Sequence, residues 1–161
     1  MTNTPKFITA DTHFEHSNIL TFEPSRAKKM RECGYRDFDA MIIDTWNATV
    51  KEEDSVLHLG DVSFKAGFMR TQNLKGHISL IVGNHDRDKH LRYYKELGWN
   101  VIDYMRLDIP EREAILGRLK TIFSQKALHN KLLACWVMDI QGRRVMFSHF
   151  PVFDNNPYDI K

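Results

Sequence analysis

Residues 78–86 read Ile-Ser-Leu-Ile-Val-Gly-Asn-His-Asp, an apolar run that ends in a cluster of polar side chains. A short apolar run bounded by glycine is typical of a buried β-strand. The same order, an apolar run and then polar residues, recurs at 7–13, 56–61 and 145–149. In open α/β sheets, the ends of neighbouring strands point at one crevice, where ligands bind. The sequence therefore predicts one site built from four distant segments.

The four clusters supply carboxylate, imidazole and amide side chains and contain no cysteine. Their members are Asp11, His13, Asp61, Asn84, His85, Asp86 and His149. Oxygen and imidazole ligands are typical of sites for divalent Mn, Fe, Zn or Ni. They are less typical of a structural zinc site, which usually relies on cysteine thiolates. We therefore expect a divalent-metal site.

Three helices are predicted between the strands. Residues 37–50 carry apolar side chains at helical spacing, with Asp37 as the N-cap. Residues 65–75 are expected to form a short helical crossover with Phe68, Met69 and Leu74 facing inward. Residues 88–97 form a third helix, which Gly98 terminates. Strands alternating with helices over short connections predict an α/β fold in a single domain, residues 1–161.

Two further segments depart from this alternation. Residues 21–36 contain Pro24, several cations and Gly34, and the sequence predicts an irregular loop there. Residues 110–133 are interpreted as an inserted helix or helical hairpin with Pro110 at its first position. The insert is expected to pack on the sheet with a solvated basic face; a lid over the site and a dimer contact are the alternatives. Residues 134–140 and 143–148 should then form a β-hairpin.

The composition is that of a globular protein and does not indicate a nucleic-acid-binding class. The net charge is +2 and the pI is about 8.5. The sequence has no apolar run long enough to span a membrane and no secretory signal pattern. Cys33 and Cys135 lie in unlike contexts, so we expect free thiols and a cytoplasmic location.

Taken together, the clusters resemble the pattern of the calcineurin-like metallophosphoesterase family, in particular its small bacterial and phage branch. The pattern runs Asp-x-His, Gly-Asp, Gly-Asn-His-Asp and then an isolated His after a strand, and all four pieces occur here in that order. The resemblance covers most of residues 6–110 and 134–153. It implies a layered β-sandwich core flanked by helices. It also implies hydrolysis of phosphomonoesters or phosphodiesters, of small molecules or nucleotides, by attack of a metal-bound hydroxide.

By this resemblance, two divalent metal ions, with Mn favoured, would be bridged by Asp61. Asp11 and His13 would complete the first metal site, and Asn84 and His149 the second. His85 would act as a general acid on the leaving group, with Asp86 orienting its ring. His16 is a candidate for the border of the pocket, whereas His58, inside a strand, is interpreted as structural.

The family pattern ends in Gly-His-x-His, and no such motif follows His149 in these 161 residues. Either the sequence is a truncated piece with an incomplete C-terminal sheet edge, or the protein has lost that segment. A catalytically impaired binding scaffold is therefore one alternative to a phosphoesterase, and a nuclease, which would share the core motifs, is another. The expected partners are a phosphate-ester substrate, with nucleotide, nucleic acid or a second copy as open alternatives, and no membrane.

Overall fold

The computed structural model describes residues 4–122 and 133–151. Seven strands in these ranges form two sheets. The first sheet has four strands in the order β1-β2-β3-β4, and the second has three in the order β5-β6-β7. The strands are β1 (Phe7–Thr9), β2 (Ser55–His58), β3 (His77–Ile81), β4 (Asn100–Ile102), β5 (Met105–Asp108), β6 (Cys135–Ile140) and β7 (Arg143–Ser148).

All neighbouring strands of the first sheet are parallel, with Thr9 opposite His58 and His58 opposite Leu80. Their carboxyl ends therefore lie at one edge. The second sheet is mixed, because β5 and β6 are parallel whereas β6 and β7 form the predicted antiparallel hairpin. Gln141 and Gly142 both have positive φ at its turn, as a tight two-residue hairpin turn requires.

Five α-helices and one 3₁₀ helix connect these strands in the described residues. They are α1 (Ile19–Phe22), α2 (Pro24–Glu32), α3 (Phe38–Thr49), the 3₁₀ helix Gly67–Asn73, α4 (Asp88–Glu96) and α5 (Arg112–Ile122). The prediction for α3 is confirmed, since the Asp37 carboxylate accepts hydrogen bonds from the amides of Asp39 and Ala40. Gly98, with φ +84°, follows α4 as predicted.

Three apolar clusters arrange helices and sheets in layers. Alternate residues of each parallel strand face opposite sides, so that Val56 faces α3 and α4 whereas Leu57 faces the second sheet. Trp136 and Met138 of β6 meet Leu57 between the sheets. Ile115 and Leu116 of α5 pack against a third cluster on the outer face of β5 and β6. The protein thus has an α/β architecture in which helices flank a parallel and a mixed sheet.

The prediction of an irregular loop at 21–36 is wrong, because this segment contains the end of α1 and all of α2. Pro24 lies in the first turn of α2, where its missing amide hydrogen costs nothing. The helix has no fully buried residue, so it lacks the apolar stripe on which periodicity depends. Strong helix formers such as Lys28, Lys29 and Arg31 nevertheless favour it.

Two smaller predictions are also corrected. Met69 is 54% exposed rather than facing inward. A 3₁₀ helix has three residues per turn, so Phe68 and Leu74, six residues apart, lie on the same face and are partly buried against the core. Helix α5 begins at Arg112, so Pro110 precedes it. The packing of α5 agrees with the favoured interpretation of the insert; residues 123–132 of that insert lie outside the described residues. No helix in the described ranges has the length and apolarity needed to cross a membrane.

Candidate metal centre

The loops that follow β1 and β2 run side by side beyond the end of the sheet. The Asp11 amide donates to Gly60 O at 3.1 Å, and the His13 amide donates to Asp61 O at 3.2 Å. Asp11, His13 and Asp61 all adopt the left-handed region, with φ of 55°, 52° and 56°. Non-glycine residues in this region store strain, and such strain concentrates at functional sites. The strained backbone therefore indicates a functional site in the loops that follow β1 and β2.

Three of the predicted ligands form one compact group. Ligand atoms of Asp11, His13 and Asp61 all lie within 4.8 Å of one another. His13 Nε2 is 3.3 Å from Asp11 Oδ1 and 4.0 Å from Asp61 Oδ2. Burial lowers the pKa of His13, against the opposing influence of the two carboxylates. A neutral imidazole beside two carboxylates has the charge state that a divalent cation needs in its ligands.

The other two predicted ligands meet on the opposite side of Asp61. His149 Nε2 lies 2.8 Å from Asn84 Oδ1 and 3.7 Å from Asp61 Oδ1. His149 Nδ1–H donates to the carbonyl of Leu59 at 2.7 Å. Nε2 is therefore the ring nitrogen that faces the amide oxygen of Asn84. A backbone carbonyl that fixes the tautomer in this way is the usual support of a metal-binding histidine.

The Asp61 carboxylate lies between the two groups. Its Oδ2 faces His13, and its Oδ1 faces His149. The side chain of Asp61 is only 6% exposed, whereas that of Asp11 is 44% exposed. Asp61 therefore lies on the buried side of the site, and Asp11 lies on the side open to solvent. The arrangement offers two adjacent sets of nitrogen and oxygen donors that share one carboxylate.

Two glycines allow the chain to approach Asp61 closely. A Cβ on Gly83 would collide with Asp61 Oδ1 and lie 2.6 Å from the Asp61 amide nitrogen. A Cβ on Gly60 would lie 2.7 Å from both Gly83 N and His149 Nδ1. A side chain at either position would therefore prevent the close backbone approach seen at the site.

The Asp86 carboxylate holds the backbone of the site together. It is 2% exposed and accepts hydrogen bonds from the amides of Asp61, Val62 and Gly83 at 2.8–3.0 Å. These contacts tie the loop after β2 to the loop after β3. They assign Asp86 a structural role in addition to the predicted orientation of the His85 ring, which stays a prediction.

His85 lies at the open side of the site. Its side chain is 47% exposed and its Nε2 is 3.9 Å from Asp61 Oδ2. Its backbone amide donates to Asp61 Oδ1 at 2.9 Å. An imidazole that is fixed through its backbone and open to solvent is well placed to reach a bound substrate.

Phe64 is a site residue that the sequence analysis missed. Its ring is stacked on that of His16 at 4.1 Å between centroids, and its centroid lies 4.7 Å from that of His85 and 5.3 Å from that of His13. The Phe64 ring therefore packs against both His13 and His85, and the His13 and His16 rings also contact each other at 5.4 Å. The sequence feature that could have indicated Phe64 as a site residue is its position three residues after Asp61.

Arg26 is a second residue that the sequence analysis missed, because it lies in the segment predicted to be a loop. Its guanidinium donates to Asp11 O at 2.8 Å and lies over the Phe38 ring at 5.8 Å. Helix α2 is thereby attached to the loop that carries Asp11 and His13.

His58 supports the same loop from within the core. It is fully buried, and its Nε2–H donates to Thr12 Oγ1 at 3.0 Å, while the Thr12 hydroxyl donates to Val62 O at 2.9 Å. Burial lowers the pKa of His58 to about 4. A neutral His58 therefore anchors Thr12 between Asp11 and His13, consistent with the structural role expected for it.

A cavity of about 450 Å³ lies beside His16, and none of the predicted metal ligands lines it. Its lining combines cations and carboxylates, including Arg36, Lys65, Arg70, Asp37 and Asp39. Arg70 pairs with both aspartates, at 3.1 Å and 3.8 Å. His16 lines this cavity, and its expected place at the border of the substrate pocket stays a prediction.

Comparison with known proteins gives relatives of undefined activity. No family model matches the chain. The Gene 66 protein of Mycobacterium phage D29 is 33% identical over 121 residues, which cover 65% of this chain and 55% of the phage protein. An uncharacterized protein of Methanocaldococcus jannaschii is 26% identical over 116 residues, 69% of this chain and 62% of that protein. The chain thus spans a little over half the length of these two relatives.

A solved structure shares the fold. The crystal structure of a protein of unknown function from Aquifex aeolicus aligns with a TM-score of 0.58, covering 95% of this chain and 64% of that one. The two sequences are 22% identical, so the likeness concerns the arrangement of sheets and helices alone.

Proposed function

We propose that this chain belongs to the calcineurin-like metallophosphoesterases, in their small bacterial and phage branch, and hydrolyses phosphate mono- or diesters at a dinuclear metal site. The observation that carries the proposal is the position of the Asp61 carboxylate. Its Oδ2 faces His13, which lies 3.3 Å from Asp11, and its Oδ1 faces His149, which lies 2.8 Å from Asn84. The pairing of a parallel with a mixed sheet supports the layered β-sandwich fold of that family.

The donors present fit two divalent cations. His149 Nε2 and Asn84 Oδ1 face each other at 2.8 Å. Two ligands at right angles on one cation, with bonds of about 2.1 Å, are about 3 Å apart. The set contains no thiolate, which favours Mn and is compatible with Fe, Zn or Ni. Asn84 contributes an oxygen without a negative charge and so leaves room for an anionic substrate.

Two bound metal ions would supply Lewis acidity towards phosphate oxygens and a hydroxide nucleophile near neutral pH. His85 projects from the open side of the centre, where it would donate a proton to the departing oxygen. Asp86 and the backbone amides that it binds keep Asp61 in place. The left-handed backbone at Asp11, His13 and Asp61 holds their side chains before any ligand arrives.

The test is metal loading followed by an assay on the same sample. We expect about two Mn²⁺ per chain by elemental analysis, and Mn²⁺-dependent hydrolysis of bis-p-nitrophenyl phosphate. His77→Ala is the matched control, because His77 is an exposed histidine at the opposite end of β3. Fewer than one metal per chain and no hydrolysis would contradict the proposal and favour a binding scaffold on the same fold.

A further inference from the structure

Strained backbone also occurs at two residues that the metal centre does not use. Six non-glycine residues of the described ranges have φ between 46° and 56°. Three of them are predicted metal ligands, and one lies in the turn of the β6–β7 hairpin. The remaining two, Glu15 and Lys65, both line the cavity beside His16. Because such strain concentrates at functional sites, this cavity is a candidate for a second site.

We call this cavity the side cavity. Its wall includes Glu15, His16, Ser17, Arg36, Lys65 and Arg70. Its volume of about 450 Å³ is within the range of small-molecule sites. The ring of His16 contacts that of His13, a predicted metal ligand, at 5.4 Å between centroids. The side cavity is therefore a neighbour of the metal centre and not a part of it.

Two buried side chains hold the strained residues in place. The Asp39 carboxylate, which is 7% exposed, accepts a hydrogen bond from the Glu15 amide at 3.0 Å. The His90 ring, which is 1% exposed, donates from Nε2 to the Lys65 carbonyl at 3.2 Å. A left-handed conformation at a residue other than glycine persists only where the surrounding structure enforces it. The backbone that carries the Glu15 and Lys65 side chains is thus fixed before any ligand arrives.

The carboxylates of the side cavity already have partners. Glu15 accepts a hydrogen bond from the Ala66 amide at 3.3 Å. Asp37 accepts one from the Asp39 amide at 2.9 Å, and Asp39 accepts the one from Glu15. Arg70 pairs with both aspartates. The negative charges in the wall are therefore bound by groups of the protein itself.

Two cations of the side cavity lack such a partner. Neither Arg36 nor Lys65 forms an ion pair through its side chain within residues 4–122 and 133–151. Ser17 adds a hydroxyl group to the same wall. Guanidinium, ammonium and hydroxyl groups are the donors with which proteins bind phosphate. The binding capacity that remains in the side cavity is therefore for an anion.

We propose that the side cavity binds a phosphate group other than the one that is hydrolysed. Arg36 and Lys65 compensate its charge, and the Ser17 hydroxyl donates to one of its oxygens. This phosphate is either a second phosphate group of the substrate or a free phosphate ion, since both present the same chemistry to the site. The first source rests on the proposed function, whereas the binding site itself does not.

The experiment is a titration of the isotope-labelled, metal-free protein with inorganic phosphate, followed by its amide chemical shifts. Without metals, Asp11 and Asp61 repel an anion from the metal centre, and no hydrolysis takes place. We expect saturable shifts at the amides of Ser17, Arg36 and Lys65. The absence of saturable shifts at these amides would overturn the proposal, whether or not the metal assay succeeds.

A pair of double variants tests the two cations. Arg36→Gln/Lys65→Gln should weaken phosphate binding about tenfold or more, because a hydrogen bond to a charged group contributes at that level. Lys29→Gln/Arg31→Gln is the matched control, because it removes the same charge from exposed positions of α2 that do not line the side cavity. Equal weakening by the two double variants would reduce the effect to general attraction by the protein's charge and overturn the assignment.

The source of the phosphate is identified with phosphonates, which are not hydrolysed, on the Mn²⁺-loaded protein. Alkane bisphosphonates of increasing chain length are compared with methylphosphonate. For a second phosphate of the substrate, one length should bind about 10²-fold more tightly than methylphosphonate, because its second group binds at a high effective concentration. Arg36→Gln/Lys65→Gln should lose that gain.

The other outcomes of the phosphonate comparison are equally distinct. No gain at any length, with inorganic phosphate still saturating the metal-free protein, identifies a free phosphate ion as the ligand. A gain that Arg36→Gln/Lys65→Gln retains in full would place the second phosphonate outside the side cavity and overturn the assignment.

Discussion

His149 Nε2 and Asn84 Oδ1 lie 2.8 Å apart although 65 residues of sequence separate them. His149 follows the last strand of the mixed sheet, and Asn84 follows β3 of the parallel sheet. His149 Nδ1–H donates to Leu59 O, so Nε2 is the ring nitrogen that faces Asn84. A cation bound by both atoms would take one ligand from each sheet.

His149→Ala should therefore remove one of two metals and leave the other. The Asp11, His13 and Asp61 group does not involve His149, so its cation would be retained with lower affinity. Elemental analysis after Mn²⁺ loading should fall from about two to about one metal per chain. Added imidazole should restore part of the loss, since it supplies the missing nitrogen. Two metals in this variant would contradict the assignment of His149.

Asp61→Asn should remove both metals, because Asp61 is the carboxylate that both donor groups share. Asparagine has nearly the same shape and keeps an acceptor for the His85 amide, so the loop is preserved while the charge is lost. Asp103→Asn is the control, as that carboxylate is 40% exposed and pairs with Lys95 at 3.9 Å. Circular dichroism of both variants should be unchanged. Retention of two Mn²⁺ per chain by Asp61→Asn would exclude the bridging role.

The parts of the molecule that the sequence predicted are those decided by local pattern. The stripe and N-cap of α3 and the turn of the β6–β7 hairpin are of this kind. Helix α2 was missed because it buries no residue fully and so has no stripe. The place of Phe64 depends on packing between the loops after β1 and β2, where the Phe64 amide donates to Phe14 O, and no periodicity encodes such a contact.

His85→Ala should retain both metals and reduce turnover by about 10²-fold, the lower range for general acid catalysis. His85 lies 3.9 Å from Asp61 Oδ2 and is half exposed, so its removal leaves the donor groups intact. The loss should be larger for a diester with an alkyl leaving group than for bis-p-nitrophenyl phosphate, because p-nitrophenolate departs without a proton. An equal loss with both substrates would point to a binding role for His85 instead.

Gly83→Ala should destabilise the protein by about 1–3 kcal/mol, the usual range for overpacking, and impair metal binding. The added Cβ would collide with Asp61 Oδ1 and lie 2.6 Å from the Asp61 amide nitrogen, which can move only if the backbone of the loop shifts. Gly117→Ala is the matched control, since a Cβ there meets nothing within 4 Å in α5. Gly117→Ala should raise the free energy of unfolding by about 0.5–1 kcal/mol, because alanine has the higher helix propensity. Urea unfolding of both variants measures the difference; equal stability would show that the loops yield more easily than the contacts imply.

His58 should make the metal-free protein sensitive to mild acid. Its pKa is about 4 in the folded protein and 6.5 when unfolded, so between these values the unfolded chain binds a proton that the folded one does not. Stability is therefore greatest above pH 6.5 and falls as the pH decreases towards 4. Between pH 7 and pH 5 the contribution of His58 to the free energy of unfolding falls by about 2 kcal/mol.

The variant His58→Gln tests this contribution, because glutamine keeps a donor for Thr12 but does not titrate. Between pH 7 and pH 5 in EDTA, its free energy of unfolding should fall by about 2 kcal/mol less than that of the wild type. His77→Gln, at an exposed position, should behave like the wild type. The same acid dependence in His58→Gln and the wild type would mean that His58 is hydrated or protonated in the folded protein.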